Sequence, residues 1–201
     1  MSSAKLALGG PEIPLMTAAA QQLSDRYRIP LGYATGGVTD NMSLDIQAGI
    51  EKTSTTLFAA LAGVDVIHDG ASGLMGAGML TSLRGMVIAN EICQSIAYLL
   101  KGIDVDSSTI AMDVIESVGQ KGTFLNQAHT AKNFRKALYI SSMRARNVSL
   151  PATTEPESLM LEETEKKARE LLDSHQLEPL GKEQMQKIER ILSEARGRVR
   201  V

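Results

Sequence analysis

The side chains that could do chemistry are gathered in loops, each of which follows a short apolar stretch. The second loop, Thr35–Asp40, ends in a threonine and an aspartate, and the third loop, His68–Gly73, begins with a histidine and an aspartate. Such groups can bind charged ligands. They also have structural uses, because Thr39 and Asp40 could cap the next helix and His68 could be a buried histidine bonded to backbone.

Glycine is the second feature of these loops. Gly36, Gly37, Gly70 and Gly73 would let a ligand approach the backbone closely, or they could be ordinary turn residues. No G-x-G-x-x-G stands at any strand-to-helix turn, which removes the usual sign of a dinucleotide site. An unrelated nucleotide-binding α/β protein is therefore disfavoured.

A short strand is predicted before each loop and a long helix after it. The strands are Lys5–Leu8, Leu31–Ala34 and Val64–Ile67, and the first loop is Gly9–Glu12. The loops begin about 26 and then about 33 residues apart, which matches a strand–helix unit of roughly 30 residues. The three helices carry apolar stripes at Met16, Ala19, Leu23 and Tyr27, at Ile46, Ile50, Leu57 and Leu61, and at Leu83, Val87, Ile88, Ile92, Ile96 and Leu99.

This alternation predicts an α/β fold with parallel strands, in which the loops after the strand ends form one working face. Beyond Leu100 the pattern becomes helical. A short helix, Thr109–Val118, is capped by Asp106–Ser108; a polar segment follows from His129, and charged helices run from Glu155 to the end, broken at Pro179 and Gly181. We therefore expect an α/β domain over residues 1–150 and a helical extension over residues 151–201.

Composition narrows the function classes. Hydrophobic residues make up 43% and charged residues 22% of the 201 residues, which is typical of a folded globular chain. A net charge of −2 indicates neither nucleic-acid binding nor membrane attraction. The single Cys93 excludes an internal disulfide framework, and we expect no metal site. Neither a signal peptide nor an apolar span is visible, so a cytoplasmic protein is predicted.

Several stretches together resemble one enzyme family, the trimethylamine methyltransferases of the MttB type. The resemblance covers about residues 7 to 136 and is specific as a set. It rests on Leu31–Asp40, Asp45–Gly49, Glu51, Gly63–Ala71, Asn90–Ile92, Gly122–Leu125, His129–Thr130 and Phe134–Arg135. The members most similar in character are those without pyrrolysine, including the glycine betaine enzymes.

The resemblance implies a TIM (β/α)8-barrel enzyme that moves a methyl group from a methylated amine to the cobalt of a corrinoid. The corrinoid would be carried by a separate partner protein, with no cofactor bound covalently to this chain. Eight strand–helix units need about 250 residues, so three visible units would be the C-terminal part of a barrel followed by the helical tail.

The resemblance also implies roles for the loop residues, since this reaction requires the methyl group to be held in line and water to be excluded. An aspartate can pair with the cationic nitrogen, and a histidine or threonine can bind a substrate carboxylate. No catalytic residue is assigned. The substrate-binding candidates are Tyr33, Thr39, Asp40, His68 and Asp69, and the candidates for close approach of the corrinoid are Gly36, Gly37 and Gly70. Tyr33 alone makes no aromatic cage.

Two departures from the family pattern leave an alternative open. Family members are more than twice this length, and the stretch after Arg135 does not follow the usual acidic and aromatic pattern. The alternative is a non-catalytic piece: a truncated remnant, or a split-gene subunit that completes a barrel with a separate N-terminal chain. An incomplete barrel exposes strand edges and apolar helix faces, so we expect a homo-oligomer or a partner-completed assembly.

Overall fold

The computed structural model describes residues 6–32, 34–141, 143, 156–175 and 178–198. Chain contacts divide it into two units, Met1–Ala168 and Arg169–Val201. The division predicted after residue 150 falls among residues outside the described ranges and stays a prediction. The elements are α1 (Glu12–Tyr27), β1 (Ala34–Thr35), α2 (Ile46–Leu61), β2 (Ile67–His68), β3 (Leu74–Met75), β4 (Leu80–Thr81), α3 (Leu83–Leu100), α4 (Ser107–Ile110), α5 (Met112–Val118), α6 (Ala128–Ala137), α7 (Pro156–Ser174) and α8 (Lys182–Arg198).

The parallel pairing expected of the second and third strands is confirmed. β1 and β2 run parallel with Ala34 opposite Ile67, and α2 is the crossover between them. Main-chain bonds extend the pairing, because the Val66 N–H donates to the Leu31 carbonyl at 3.3 Å and the Gly36 N–H to the His68 carbonyl at 3.1 Å. Both strands therefore end at the same edge. Leu6–Leu8, predicted as part of a first strand, forms none, and the C-terminal part of a TIM barrel remains a prediction.

A small hairpin separates β2 from α3, where the sequence suggested only a loop. β3 and β4 pair antiparallel, with Leu74 opposite Thr81. The hairpin turn is bonded to the second loop, because the Ala77 N–H donates to the Thr39 carbonyl at 3.0 Å and the Gly76 N–H to the Asn41 carbonyl at 2.8 Å. The hairpin thereby becomes part of the strand-end edge.

The apolar stripes of α1 and α2 are not the buried faces of these helices. On α2 the residues that are buried are Ala48, Lys52, Thr55, Thr56 and Ala59. Its apolar stripe lies largely outside, with Ile46, Ile50 and Leu61 all more than half exposed. On α1 the buried residues are Pro14, Thr17 and Gln21, while Met16, Leu23 and Tyr27 are exposed. Small and polar side chains therefore form the inward faces, and the exposed stripes agree with the apolar helix faces expected of an incomplete barrel.

The later helices follow the prediction more closely. On α3, Ile92 and Ile96 are buried as expected. The predicted helix Thr109–Val118 is divided into α4 and α5 at Ala111, whose φ is 49°. Asp106 caps α4 through a capping box with Thr109. α6 occupies the segment predicted only as polar, and α7 begins one residue after the predicted Glu155. None of the helices in the described ranges is long and apolar enough to span a membrane.

Two neighbouring substitutions test directly which face of α2 is buried. Ala59 is completely buried, so Ala59→Leu should overpack the interior and lower the free energy of unfolding by about 1–3 kcal/mol. Phe58 is 55% exposed, so Phe58→Ala should change it by only about 0.5 kcal/mol. Urea unfolding of dilute protein measures both values. The opposite order of effects would show that the apolar stripe faces inward.

Candidate functional site

The first and second loops meet at the carboxylate of Glu51, on the first turns of α2. The Thr39 hydroxyl donates to Glu51 Oε2 at 2.5 Å, and the Asp40 N–H donates to the same oxygen at 2.9 Å. Asp40 in turn accepts a bond from the Leu8 N–H at 2.7 Å. A side chain at Gly9 would collide with the Glu51 carboxylate. Glu51 thus holds the second loop, and Asp40 joins that loop to the segment before the first loop.

The ionisation of Glu51 follows from these contacts. Burial disfavours its charge, but the Thr39 hydroxyl, the Gln47 amide and the N–H groups of Asp40 and Asn41 outweigh it and lower the pKa of Glu51 below 4.5. The group is therefore a carboxylate at neutral pH. Because its oxygens accept these hydrogen bonds, the Glu51 carboxylate holds the loop in place and does not transfer a proton.

The second and third loops touch through their main chains. Gly37 has a φ of 71°, and a Cβ there would lie 2.8 Å from the Asp69 carbonyl oxygen and closer still to that of Gly70. A Cβ at Gly36 would lie 2.6 Å from a methyl group of Ile67. Both glycines are buried in this contact, while Gly70 is partly exposed. Glycine is needed here for loop-to-loop packing, and the predicted approach of a corrinoid to these residues stays a prediction.

Lys52 is the central polar group behind these loops. Its Nζ donates to the carbonyl of Gly37 and, at 2.7 Å, to that of Leu74, where the hairpin begins. One turn further along α2, the Thr55 hydroxyl accepts from the Gly37 N–H at 3.1 Å. The Lys52 side chain is 1% exposed, and this burial lowers its pKa from 10.5 to about 8. A buried lysine therefore ties the second loop to the hairpin that follows the third.

The third loop presents a histidine–aspartate pair at the end of β2. His68 Nδ1 lies 2.7 Å from Asp69 Oδ2; the His68 side chain is 52% exposed and that of Asp69 19% exposed. The backbone of Asp69 is left-handed, with a φ of 66°. Behind it, the Cys93 thiol donates to the Gly70 carbonyl at 3.5 Å, and burial raises the pKa of this thiol. The imidazole is thus oriented by a carboxylate while its ring faces solvent.

The predicted binding residues are brought to one edge but differ in access. Thr39 is completely buried and accepts from the Asn41 N–H at 3.1 Å besides binding Glu51. Its helix-cap alternative is wrong, because the cap of α2 is Asp45, which accepts from the Ala48 N–H. The alternative of a buried structural histidine is wrong for His68, which is half exposed. Tyr33 lies outside the described residues.

Two further features bear on what the site can hold. Within the described ranges, no three histidine, cysteine or acidic side chains stand close enough together to bind a metal ion. A cavity of about 350 Å³ lies beside α2, lined largely by aliphatic side chains such as Ile88 and Met160 together with Lys52. His68 and Asp69 do not line it, so the exposed polar pair and this cavity are separate places in the fold.

Glu51 and Lys52 were missed as site residues, although Glu51 belongs to the family resemblance. A sequence signal exists, because the positions around Lys52 at helical spacing carry only small side chains: Ala48, Gly49, Thr55, Thr56 and Ala59. A face of small side chains lets a helix approach a backbone closely. A lysine on such a face has no room to reach solvent.

The known proteins that are similar to this chain are methyltransferases. A family model described as trimethylamine methyltransferase (MTTB) matches residues 1–194. Over 148 residues the chain is 35% identical to the glycine betaine methyltransferase of Desulfitobacterium hafniense (strain Y51), covering 73% of this chain and 30% of that protein. Over 118 residues it is 38% identical to trimethylamine methyltransferase MttB of Methanosarcina barkeri (strain Fusaro / DSM 804), covering 59% and 23%. The chain thus aligns with less than a third of each relative.

The lowered pKa of Lys52 predicts how stability depends on alkaline pH. The unfolded chain holds this proton up to about pH 10.5, whereas the folded chain releases it near pH 8. Protonation therefore favours unfolding, and this destabilisation disappears as the pH rises from 8 to 10.5. The stability of the wild type relative to Lys52→Met should rise across that range in urea titrations. A flat difference would show that the lysine is solvated.

Proposed function

Because the chain belongs to the trimethylamine methyltransferase family, we propose that it takes part in moving a methyl group from a methylated amine to the cobalt of a corrinoid protein. The β1–α2–β2 unit would be one parallel unit of a TIM barrel, with the loops at its substrate-facing edge. The observation that carries the proposal within this chain is the His68–Asp69 pair, exposed at the end of β2 beside the second loop.

The substrate class we propose is a quaternary amine that carries a carboxylate, of which glycine betaine is the simplest example. The imidazole of His68, which Asp69 holds at Nδ1, would hydrogen-bond such a carboxylate. Asp40 and Asp69 supply negative charge for the cationic end. The departing amine is neutral, so the residues of this chain have only to bind and orient the substrate.

The partner we propose is a protein that carries the corrinoid, whose reduced cobalt would supply the nucleophile. Gly36 and Gly37 are buried against the third loop, which leaves Gly70 as the predicted approach residue that keeps some exposure. The rim around Gly70 and His68 is therefore the part of the loop cluster where a large ring could come near a bound amine. This chain's contribution there is to hold the substrate and shield it from water.

Methyl transfer by the purified chain is the first test of this function. The chain is mixed with reduced cobalamin or a corrinoid protein and with glycine betaine or trimethylamine, and the methylated cobalt is followed by its absorbance. Appearance of dimethylglycine or dimethylamine in equal amount would confirm the reaction. Calorimetry with glycine betaine tests binding separately. Neither binding nor transfer with either amine would contradict the proposed function for this chain.

His68 provides the specific variant. His68→Ala should weaken glycine betaine binding by about tenfold or more, since a hydrogen bond to a charged group is lost, while the free energy of unfolding should change by only about 0.5 kcal/mol, as for other surface substitutions. His175→Ala is the matched control, because His175 lies on the other unit. Equal affinities of the wild type and both variants would remove His68 from the site.

A second candidate function is a non-catalytic subunit that completes a barrel with a separate N-terminal chain. The observation that favours it is the run of exposed apolar side chains on α1 and α2, which include Leu15 at 73% and Tyr27 at 67% exposure. Large exposed apolar surfaces mark contact sites rather than solvated faces. The relatives extend well beyond the aligned region, which leaves ample protein to cover these faces.

Association should therefore be measurable and should depend on these faces. Light scattering of the purified chain is expected to give a mass above that of one chain, or else co-expression with the N-terminal three-quarters of a relative should give a complex. Replacing Leu23 and Ile50 by glutamate should abolish either association, because both side chains are more than half exposed. A lone monomer that also ignores the N-terminal chain would contradict this prediction.

A further inference from the structure

Lys52 is the feature of the structure for which the proposed function provides no role. It is a cationic residue with 1% exposure on a helix face otherwise made of alanine and threonine. In the described part of the chain both of its acceptors are main-chain carbonyls, those of Gly37 and Leu74. A lysine buried on two carbonyls from separate segments costs stability, so the arrangement calls for a specific explanation.

The two carbonyls belong to the two segments that carry the candidate binding residues. Gly37 is in the second loop, two residues before Thr39, and Leu74 directly follows the third loop, which starts at His68. We propose that Lys52 is the positioning residue of the site: it fixes the third loop and its hairpin against the second loop, and so sets where His68 stands relative to Asp40. This inference rests on the proposed function.

Main-chain bonds also join these segments. The hairpin turn is bonded to the second loop from Gly76 to Asn41 and from Ala77 to Thr39, and the Gly36 N–H donates to the His68 carbonyl at the start of the third loop. Lys52 adds a side-chain connection between Gly37 and the beginning of the hairpin at Leu74, and its loss leaves two carbonyls without these donors.

The amine of Lys52 matches the hydrogen-bond acceptors that surround it. A lysine amine can donate to two acceptors at once, and the carbonyls of Gly37 and Leu74 are both within its reach. Methionine has a similar length and flexibility but no donor, so Lys52→Met removes both bonds while nearly keeping the volume.

The experiment compares Lys52→Met with Thr56→Val by amide hydrogen exchange and by calorimetry with glycine betaine. Thr56 is equally buried on the same helix, but its hydroxyl bonds only the Lys52 carbonyl within the helix. In Lys52→Met the amides of Gly76 and Ala77 should exchange about tenfold faster or more, and betaine binding should weaken by about the same factor. Thr56→Val should leave both unchanged.

A chemical rescue separates positioning from packing. The chain has one cysteine, so Lys52→Cys in a Cys93→Ser background has a single thiol. Alkylation of the unfolded chain with bromoethylamine, followed by refolding, restores an amine at the original distance; S-propylation restores only the length. Recovery of loop protection with the amine alone supports the proposal. Equal recovery with both adducts, or a Lys52→Met variant within twofold of the wild type in exchange, overturns it.

The two proposals fail in different ways. If the wild type binds no betaine yet Lys52→Met loses loop protection, the fixing of the loops stands and the proposed substrate is wrong. If the wild type binds betaine and Lys52→Met binds it equally well with a folded chain, the proposed function stands and Lys52 has no positioning role.

Discussion

Three side chains of α2 form hydrogen bonds to the second loop and determine the structure around the strand ends. Glu51 accepts from the Asp40 N–H and the Thr39 hydroxyl, Lys52 donates to the Gly37 carbonyl, and Thr55 accepts from the Gly37 N–H. A loop that lies behind a helix must have its N–H and C=O groups bonded, because water cannot reach them. The spacing of one and three residues brings these side chains to one face of the helix. The loop conformation is therefore dictated by the helix rather than by the two short strands.

This constraint explains why α2 turns its apolar side chains outward. Only one face of α2 can form hydrogen bonds to the loop, and the side chains on that face must be polar or small. Ile46, Ile50 and Phe58 therefore lie on the opposite side of the helix. α1 follows the same pattern with Thr17 and Gln21 inside. Gln21 donates to Asp25 while its own carbonyl has no partner among the described residues. Two helices with polar interiors cannot bury enough apolar surface alone, which is the physical basis for expecting further protein over their outer faces.

The sequence predicted those elements of the fold that have a local signal in the chain. Pro11 marks the start of α1, Gly181 precedes α8, and the short apolar stretches before residues 35 and 68 pair in parallel as expected. The hairpin was missed because strands of two residues have no period to detect. The buried polar faces of α1 and α2 were not predicted, because periodicity identifies an apolar stripe but not what lies against it. Lysine is almost always solvated on a helix, so the small side chains around Lys52 are the signal in the sequence that it is interior.

The candidate site consequently has an inner part, which is hydrogen-bonded within the fold, and an outer part, which is more exposed. Thr39, Lys52 and Gly37 are buried and bonded to a side chain or to main chain, and Glu51, which is partly exposed, is bonded to the second loop. His68 and Asp69 stand outside this framework, with the imidazole ring fixed by a carboxylate but open to solvent. Sequence reasoning placed Thr39 and His68 in the same class because both follow a strand. Their burial separates them, because Thr39 is completely buried whereas the His68 side chain is 52% exposed.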